Sequence, residues 1–106
     1  MFKVIYTDEA YEQLKELDKP FRNKILKGIE IFKAVGKDAR NSRDLKNGLW
    51  EIKSDNVRAY FKYHQDQIII IGLIVLKKTQ KAPERFIQQA IKNIEKLTKE
   101  LQEQSI

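Results

Sequence analysis

The 106-residue chain has no cysteine and a single histidine, His64. A disulfide framework, a thiolate metal site and a His-rich ligand set are therefore excluded. Its four glycines form no phosphate-cradling loop, and no pair of carboxylates has the look of an acid–base couple. The longest apolar run, Ile68 to Leu76, is nine residues and contains Gly72, well short of the roughly 20 residues that span a membrane. The N-terminal MFKVIYTDEAYEQL lacks the apolar centre of a secretion signal. The expectation is a cytoplasmic protein, a single domain over residues 1–106, with no metal, no cofactor and no membrane partner.

What the chain does have is positive charge in one place. Of a net +6, the segment 37–81 carries +5, with ten Lys and Arg against five Asp and Glu. Uneven basic charge favours a nucleic-acid or acidic partner over a plain solubility surface.

Phe2 to Tyr6 is β-branched and aromatic and predicts a short strand. Thr7 or Asp8 can cap a helix running to Asp18, with Ala10, Tyr11, Leu14 and Leu17 as its stripe. Pro20 suits the first position of a second helix. Phe21, Ile25, Ile29 and Phe32 form the stripe of that helix, Ile31 and Val35 widen it, and Gly36 ends it. Residues 37–47 show no periodicity and read as a loop. Strands follow over 49–54, 57–64 and 67–77, then a helix from Pro83 to about Gln102 with Phe86, Ile87, Ala90, Ile91, Ile94, Leu97 and Leu101 on one face. The order β-α-α-β-β-β-α predicts an α+β fold: a mostly antiparallel sheet with an N-terminal helical hairpin and a C-terminal helix.

A two-residue turn at Asp55-Asn56 pairs Lys53 with Arg58, Glu51 with Tyr60, Ile52 with Ala59 and Trp50 with Phe61. Trp50, Ile52, Ala59 and Phe61 then face the helices, and Glu51, Lys53, Arg58, Tyr60 and Lys62 the other side. A turn at Gln65-Asp66 pairs Tyr63 with Ile68 and Phe61 with Ile70. It sets Lys77 on the Lys53/Arg58 face and Lys78 on the opposite one. Lys53, Arg58 and Lys77 converge near one end of the sheet, as a clamp for the charge of a phosphorane would.

The pattern Leu45-x-x-Gly48-Leu49-Trp50-Glu51-Ile52-Lys53, Val57-Arg58-x-Tyr60-Phe61 and Ile71-Gly72-Leu73-Ile74-Val75-Leu76-Lys77-Lys78-Thr79-Gln80-Lys81-x-Pro83 resembles the HigB-type, phage-derived branch of the RelE/ParE toxin superfamily. The resemblance covers nearly the whole chain and implies a RelE-like fold. It also implies the toxin of a type II toxin–antitoxin pair, a metal-independent endoribonuclease cutting mRNA in the ribosomal A site. There the ribose 2′-OH attacks the scissile phosphate. The implied partners are the ribosome with its mRNA and a helix-turn-helix antitoxin of HigA type, through which alone operator DNA is reached. Arg58 and the Lys77–Lys78 pair match the family's cations, and Lys53 stands where the family usually has Arg. The C-terminal helix lacks the proton-transferring Tyr or His of better-studied RelE-type toxins, which leaves the general base open.

On this reading the catalytic candidates are Arg58, Lys77, Lys53, Glu51 and Tyr60. Lys78, Lys81, Lys46, Arg43 and Arg40 are candidates for RNA contact. Each has a plainer alternative: Glu51 as an ion-pair partner of Arg58 or Lys53, Tyr60 as a packing residue, and Lys53 as a solvated hairpin lysine. Trp50 reads as core, and His64 sits at a hairpin tip away from the cations. Two other functions fit the same fold: a ParE-like toxin that binds a topoisomerase, and an RNA-binding domain without catalysis.

Overall fold

The computed structural model describes residues 1–65, 67–77 and 82–104. Its elements are β1 (Lys3–Tyr6), α1 (Asp8–Glu16), α2 (Lys19–Val35), a 3-10 turn (Gly36–Asp38), β2 (Ser42–Asp44), β3 (Trp50–Ser54), β4 (Val57–His64), β5 (Ile68–Leu76) and α3 (Glu84–Gln104). The sheet order is β1-β5-β4-β3-β2, with β1 parallel to β5 and every other pair antiparallel. The expected α+β architecture is present, with one short strand more than the sequence indicates. Among the described residues no helix is long and apolar enough to cross a membrane.

The helical hairpin covers one face of the sheet. Ala10 and Leu14 of α1 and Ile25, Ile29 and Phe32 of α2 pack on Ile52, Ala59, Phe61, Ile69, Ile71 and Ile74. Trp50 joins this face, its ring edge-on to Tyr63 at 5.7 Å. Ile31 and Val35 do not: both are exposed. Ile31 stands two positions from Ile29, about half a turn around the helix, and Val35, one turn beyond Ile31, shares its outward face. On the other face α3 lays Ala90 and Ile94 over Tyr60, Ile70 and Leu73, flanked by Phe86, Ile87, Ile91, Leu97 and Leu101. β5 is apolar on both sides because helices cover both.

The hairpin register of β3 and β4 is as the alternation predicts, Lys53 opposite Arg58 and Glu51 opposite Tyr60. The β4–β5 register is not. Tyr63 pairs with Ile69 and Phe61 with Ile71, and an irregularity between Tyr60 and Phe61 then sets Tyr60 against Leu73 and Arg58 against Val75. Asp66, part of the expected turn, lies outside the described residues. Gly72 is the extra residue at this bulge. Its carbonyl accepts from the Thr7 hydroxyl at 3.1 Å and from Asn93 Nδ2 at 2.8 Å. Thr7 also caps α1, its oxygen accepting from the Ala10 N–H at 3.3 Å. Three elements thus meet at one glycine. The bulge offsets the one-residue error at the hairpin tip, so Lys77 still follows β5 on the Arg58 face.

The segment 37–47 is not a plain loop. Ser42, Arg43 and Asp44 pair with Ile52, Glu51 and Trp50 as the edge strand β2. A tight turn follows, in which the Lys46 N–H donates to Asp44 Oδ1 at 2.8 Å and the Leu45 N–H to the Leu49 carbonyl at 2.9 Å.

Candidate functional site

Across the sheet, Arg43, Glu51, Tyr60 and Leu73 stand in one row on the α3 face. Lys53 and Arg58 stand in the next. Lys77 comes after that, fixed to the β3–β4 turn by its N–H on the Asn56 carbonyl at 2.7 Å. α3 covers the first row only as far as Tyr60, and the cations gather beyond it.

Glu51 is the hub, a carboxylate 2 % exposed in the middle strand of three. Arg43 Nη2 lies 3.1 Å from Oε1 and Lys77 Nζ 3.5 Å from Oε2, while Arg58 Nε is 4.0 Å from Oε1. Arg58 and Lys77 are almost as buried as Glu51. The Arg58 guanidinium is also held by backbone: its Nη1 donates to the Asp55 carbonyl and, at 3.1 Å, to that of Val57. A carboxylate surrounded by three cations has a physical reason to be buried, because its desolvation is offset by charge on several sides. The three cations are in turn held together by that one negative charge.

Burial pulls the Lys77 ammonium pKa below its ordinary 10.5; Glu51 opposes this shift and Arg58 adds to it. The Tyr60 phenol moves the other way. Burial first, and the Glu51 charge second, push its pKa well above 10.0. Its hydroxyl lies beside the carboxylate without meeting hydrogen-bond geometry.

Beside this cluster opens a cleft of about 260 Å³ lined by Arg40, Asn41, Ser42, Arg43, Glu51, Lys53 and Arg58. The structure thus brings together Arg58, Lys77, Lys53, Glu51, Tyr60, Arg43 and Arg40 from the sequence-based set. Lys46 is exposed in the turn after β2 and does not line the cleft. Lys78 and Lys81 lie outside the described residues. His64 ends β4 opposite Ile68, six residues along the strand from Arg58, which is about 20 Å.

Sequence reasoning did not foresee that Arg43 pairs with Glu51, nor that Asn41 and Ser42 wall the cleft. The tripeptide Ser-Arg-Asp has no apolar alternation to announce a strand. The only local signal was its place just ahead of the Gly48 turn. Chemically, the arrangement is an anion site, with two arginines and two lysines around one carboxylate and Arg40 at the rim. None of these groups is a metal-ligand set.

The fold is that of RelE-type toxins. The isolated Escherichia coli RelE toxin is similar with a TM-score of 0.63 at 11 % identity, over 89 % of this chain and 99 % of that one. RelE in the intact E. coli RelBE toxin–antitoxin complex matches at 0.61 and 11 %, over 76 % and 100 %. The RelBE2 toxin–antitoxin complex of Mycobacterium tuberculosis matches at 0.50 and 18 %, over 72 % and 98 %. Residues 12–95 match the family described as Phage derived protein Gp49-like (DUF891), and the chain belongs to that family. No curated protein matches it.

Proposed function

We propose that this protein is the toxin of a type II toxin–antitoxin pair, a single cytoplasmic domain of the HigB type that cleaves mRNA on the ribosome without a metal. The observation that carries the reading is the convergence of Arg43, Arg58 and Lys77 on the buried Glu51 beside an open cationic cleft. The likeness to RelE and the phage-derived family support it.

In this mechanism the ribose 2′-OH forms a bond to the scissile phosphorus as the bond to the 5′ oxygen breaks. A 2′,3′-cyclic phosphate and a 5′-hydroxyl result. Arg43 and Lys53, at the cleft surface, hold the non-bridging oxygens. Arg58 and Lys77 supply positive potential from beneath, where low dielectric strengthens it. Glu51 acts through these cations as a positioning residue, and Tyr60 packs as a neutral phenol. The partner that silences the toxin is a HigA-type helix-turn-helix antitoxin, which also carries the complex to operator DNA.

The test is induced expression in bacteria of the wild type and of an Arg43→Ala/Lys53→Ala double variant, following growth and mRNA 5′ ends. Arg43 is about half exposed and Glu51 keeps Arg58 and Lys77 as partners, and the variant is scored only with a thermal midpoint that shows it folded. The expected outcome is arrest with new cuts inside translated frames, both lost in the variant. One observation favours a second reading, a ParE-like toxin acting by protein contact: the Arg58 guanidinium is buried and tied to backbone carbonyls. Arrest that persists in the variant with intact mRNA and damaged DNA would establish that reading. RNA binding without arrest would leave a non-catalytic RNA-binding domain.

A further inference from the structure

The turn between β3 and β4 does more than reverse the chain. Two successive carbonyls of it hold buried cations. That of Asp55 accepts from Arg58 Nη1, and that of Asn56 accepts from the Lys77 N–H at 2.7 Å. Asp55 stands at φ +57°, in the left-handed region that Asp and Asn tolerate better than most residues. Its carboxylate reaches helix α2, where Oδ2 lies 2.6 Å from Lys24 Nζ. Next to it Ser54 Oγ donates to the Lys24 carbonyl at 2.7 Å. Lys24 thus grips Ser54 and Asp55 together, from a helix fixed in the core by Ile25 and Ile29.

This grip bears on Arg58. Its Nη1 is given to the carbonyls of Asp55 and Val57, while its buried Nε stays 4.0 Å from Glu51 Oε1 and has no hydrogen-bond partner among the described residues. The turn therefore holds the guanidinium just short of the carboxylate. If the turn shifted, Nε would close on Glu51, and less positive potential would reach the cleft. We propose that Asp55, through Lys24, is a positioning residue of the cationic site. The pair keeps the turn where its carbonyls hold Arg58 off Glu51 and Lys77 against the cluster. Both partners are about half exposed, and such a pair adds little to folding, so its loss shows in rate and not in stability. The effect on rate rests on the nuclease reading; the hold on Arg58 does not.

Charge alone would act differently. Removing the Asp55 carboxylate raises the potential at the cleft and removing the Lys24 ammonium lowers it, so RNA affinity would move in opposite directions. The experiment compares the wild type with Asp55→Asn, Lys24→Met, their double variant and Lys24→Arg. The control is Lys33→Met, which takes a positive charge from the same helix, where it pairs with Glu30. Each protein, in excess over ribosomes carrying mRNA, gives a maximal single-turnover cleavage rate and a half-saturating concentration. Thermal midpoints are expected to stay put. Asp55→Asn and Lys24→Met each lower the maximal rate at least about fivefold with little change in half-saturation. The double variant is no slower than the slower single one, and Lys24→Arg and Lys33→Met keep the wild-type rate. Opposite shifts in half-saturation at unchanged rate, losses that multiply in the double variant, or a Lys24→Arg as slow as Lys24→Met overturn the proposal. The NMR resonance of the Arg58 Nε–H is read in parallel and is expected to move downfield in Asp55→Asn and Lys24→Met as it closes on Glu51. An unmoved resonance overturns the hold on Arg58. A wild type that cuts no mRNA sinks the nuclease reading, and the Arg58 resonance then decides the hold by itself.

Discussion

Glu51 and its three cations set what single substitutions do here. Glu51→Gln keeps the shape of the side chain and removes its charge, leaving Arg58 and Lys77 buried beside each other. Removing one partner from a buried ion pair destabilises by about 3–5 kcal/mol. The loss here is expected at the low end, because Arg43 can turn to solvent. Urea denaturation measures it, and a variant as stable as the wild type would show that the cluster is hydrated in solution. Tyr60→Phe is expected to change little at neutral pH, since the hydroxyl makes no geometrically sound bond. Its effect lies at alkaline pH. The folded-state pKa of Tyr60 is raised, so the stability it contributes is complete below pH 10.0 and is lost as pH climbs through the folded value. Lys77, with its folded pKa lowered, pulls the other way, adding stability as pH rises toward 10.5. Tyr6 and Tyr63 are raised like Tyr60. The Tyr60→Phe variant should therefore lose less stability above pH 10 than the wild type, without losing none. Thermal midpoints across that range decide it.

At the level of elements, the point where most depends on one residue is the β5 bulge. A Cβ at Gly72 would stand 2.6 Å from the Ala90 carbonyl and 2.7 Å from Ile94 Cγ1. Backbone cannot yield as a side chain does, so α3 must lift. Gly72→Ala is expected to destabilise by about 2–3 kcal/mol, with the near-UV signal of Tyr60 altered as its cover loosens. An unchanged denaturation midpoint would mean that α3 moves outward at no cost to the core. The same bulge marks a limit of sequence reading. Period-two alternation gave the β3–β4 register, because polar and apolar residues trade places there at every step. In β5 every side chain from Ile68 to Leu76 apart from Gly72 is aliphatic, so a one-residue shift leaves no trace in polarity. β2 escaped for the opposite reason, being polar throughout. In α2 the stripe was legible, but periodicity alone could not say how wide it is. Ile31 and Val35 show that the sheet does not reach around the helix. The cations of the site were legible as residue types and by face. What the sequence could not show was burial, and burial makes Glu51 a centre and Arg58 and Lys77 its supports.

Over the whole molecule the charge is lopsided, and the cleft lies where the excess gathers. RNA binding through Arg40, Arg43 and Lys53 is expected to be insensitive to sequence and to weaken with salt. The slope of log K against log salt should be about −2, from roughly 0.7 for each phosphate neutralised on a single strand. Fluorescence anisotropy with two oligonucleotides of different sequence measures it. A flat salt response, or strong preference for one sequence, would place recognition in base contacts instead.

The strand order has a consequence in time. β1 is made first and β5 much later, yet among the described residues Lys3 to Tyr6 pair with Ile68 to Ile71 alone, and of the cations described around Glu51 the last to be made is Lys77. A chain leaving the ribosome N-terminus first therefore carries an unpartnered first strand and an unbalanced cluster through most of its synthesis. A chain broken off before Ile71 lacks the full β1–β5 pairing, and one broken off anywhere within β5 lacks Lys77 and so a complete site. On the toxin reading, the ribosome making this protein is spared by the topology until translation is nearly over.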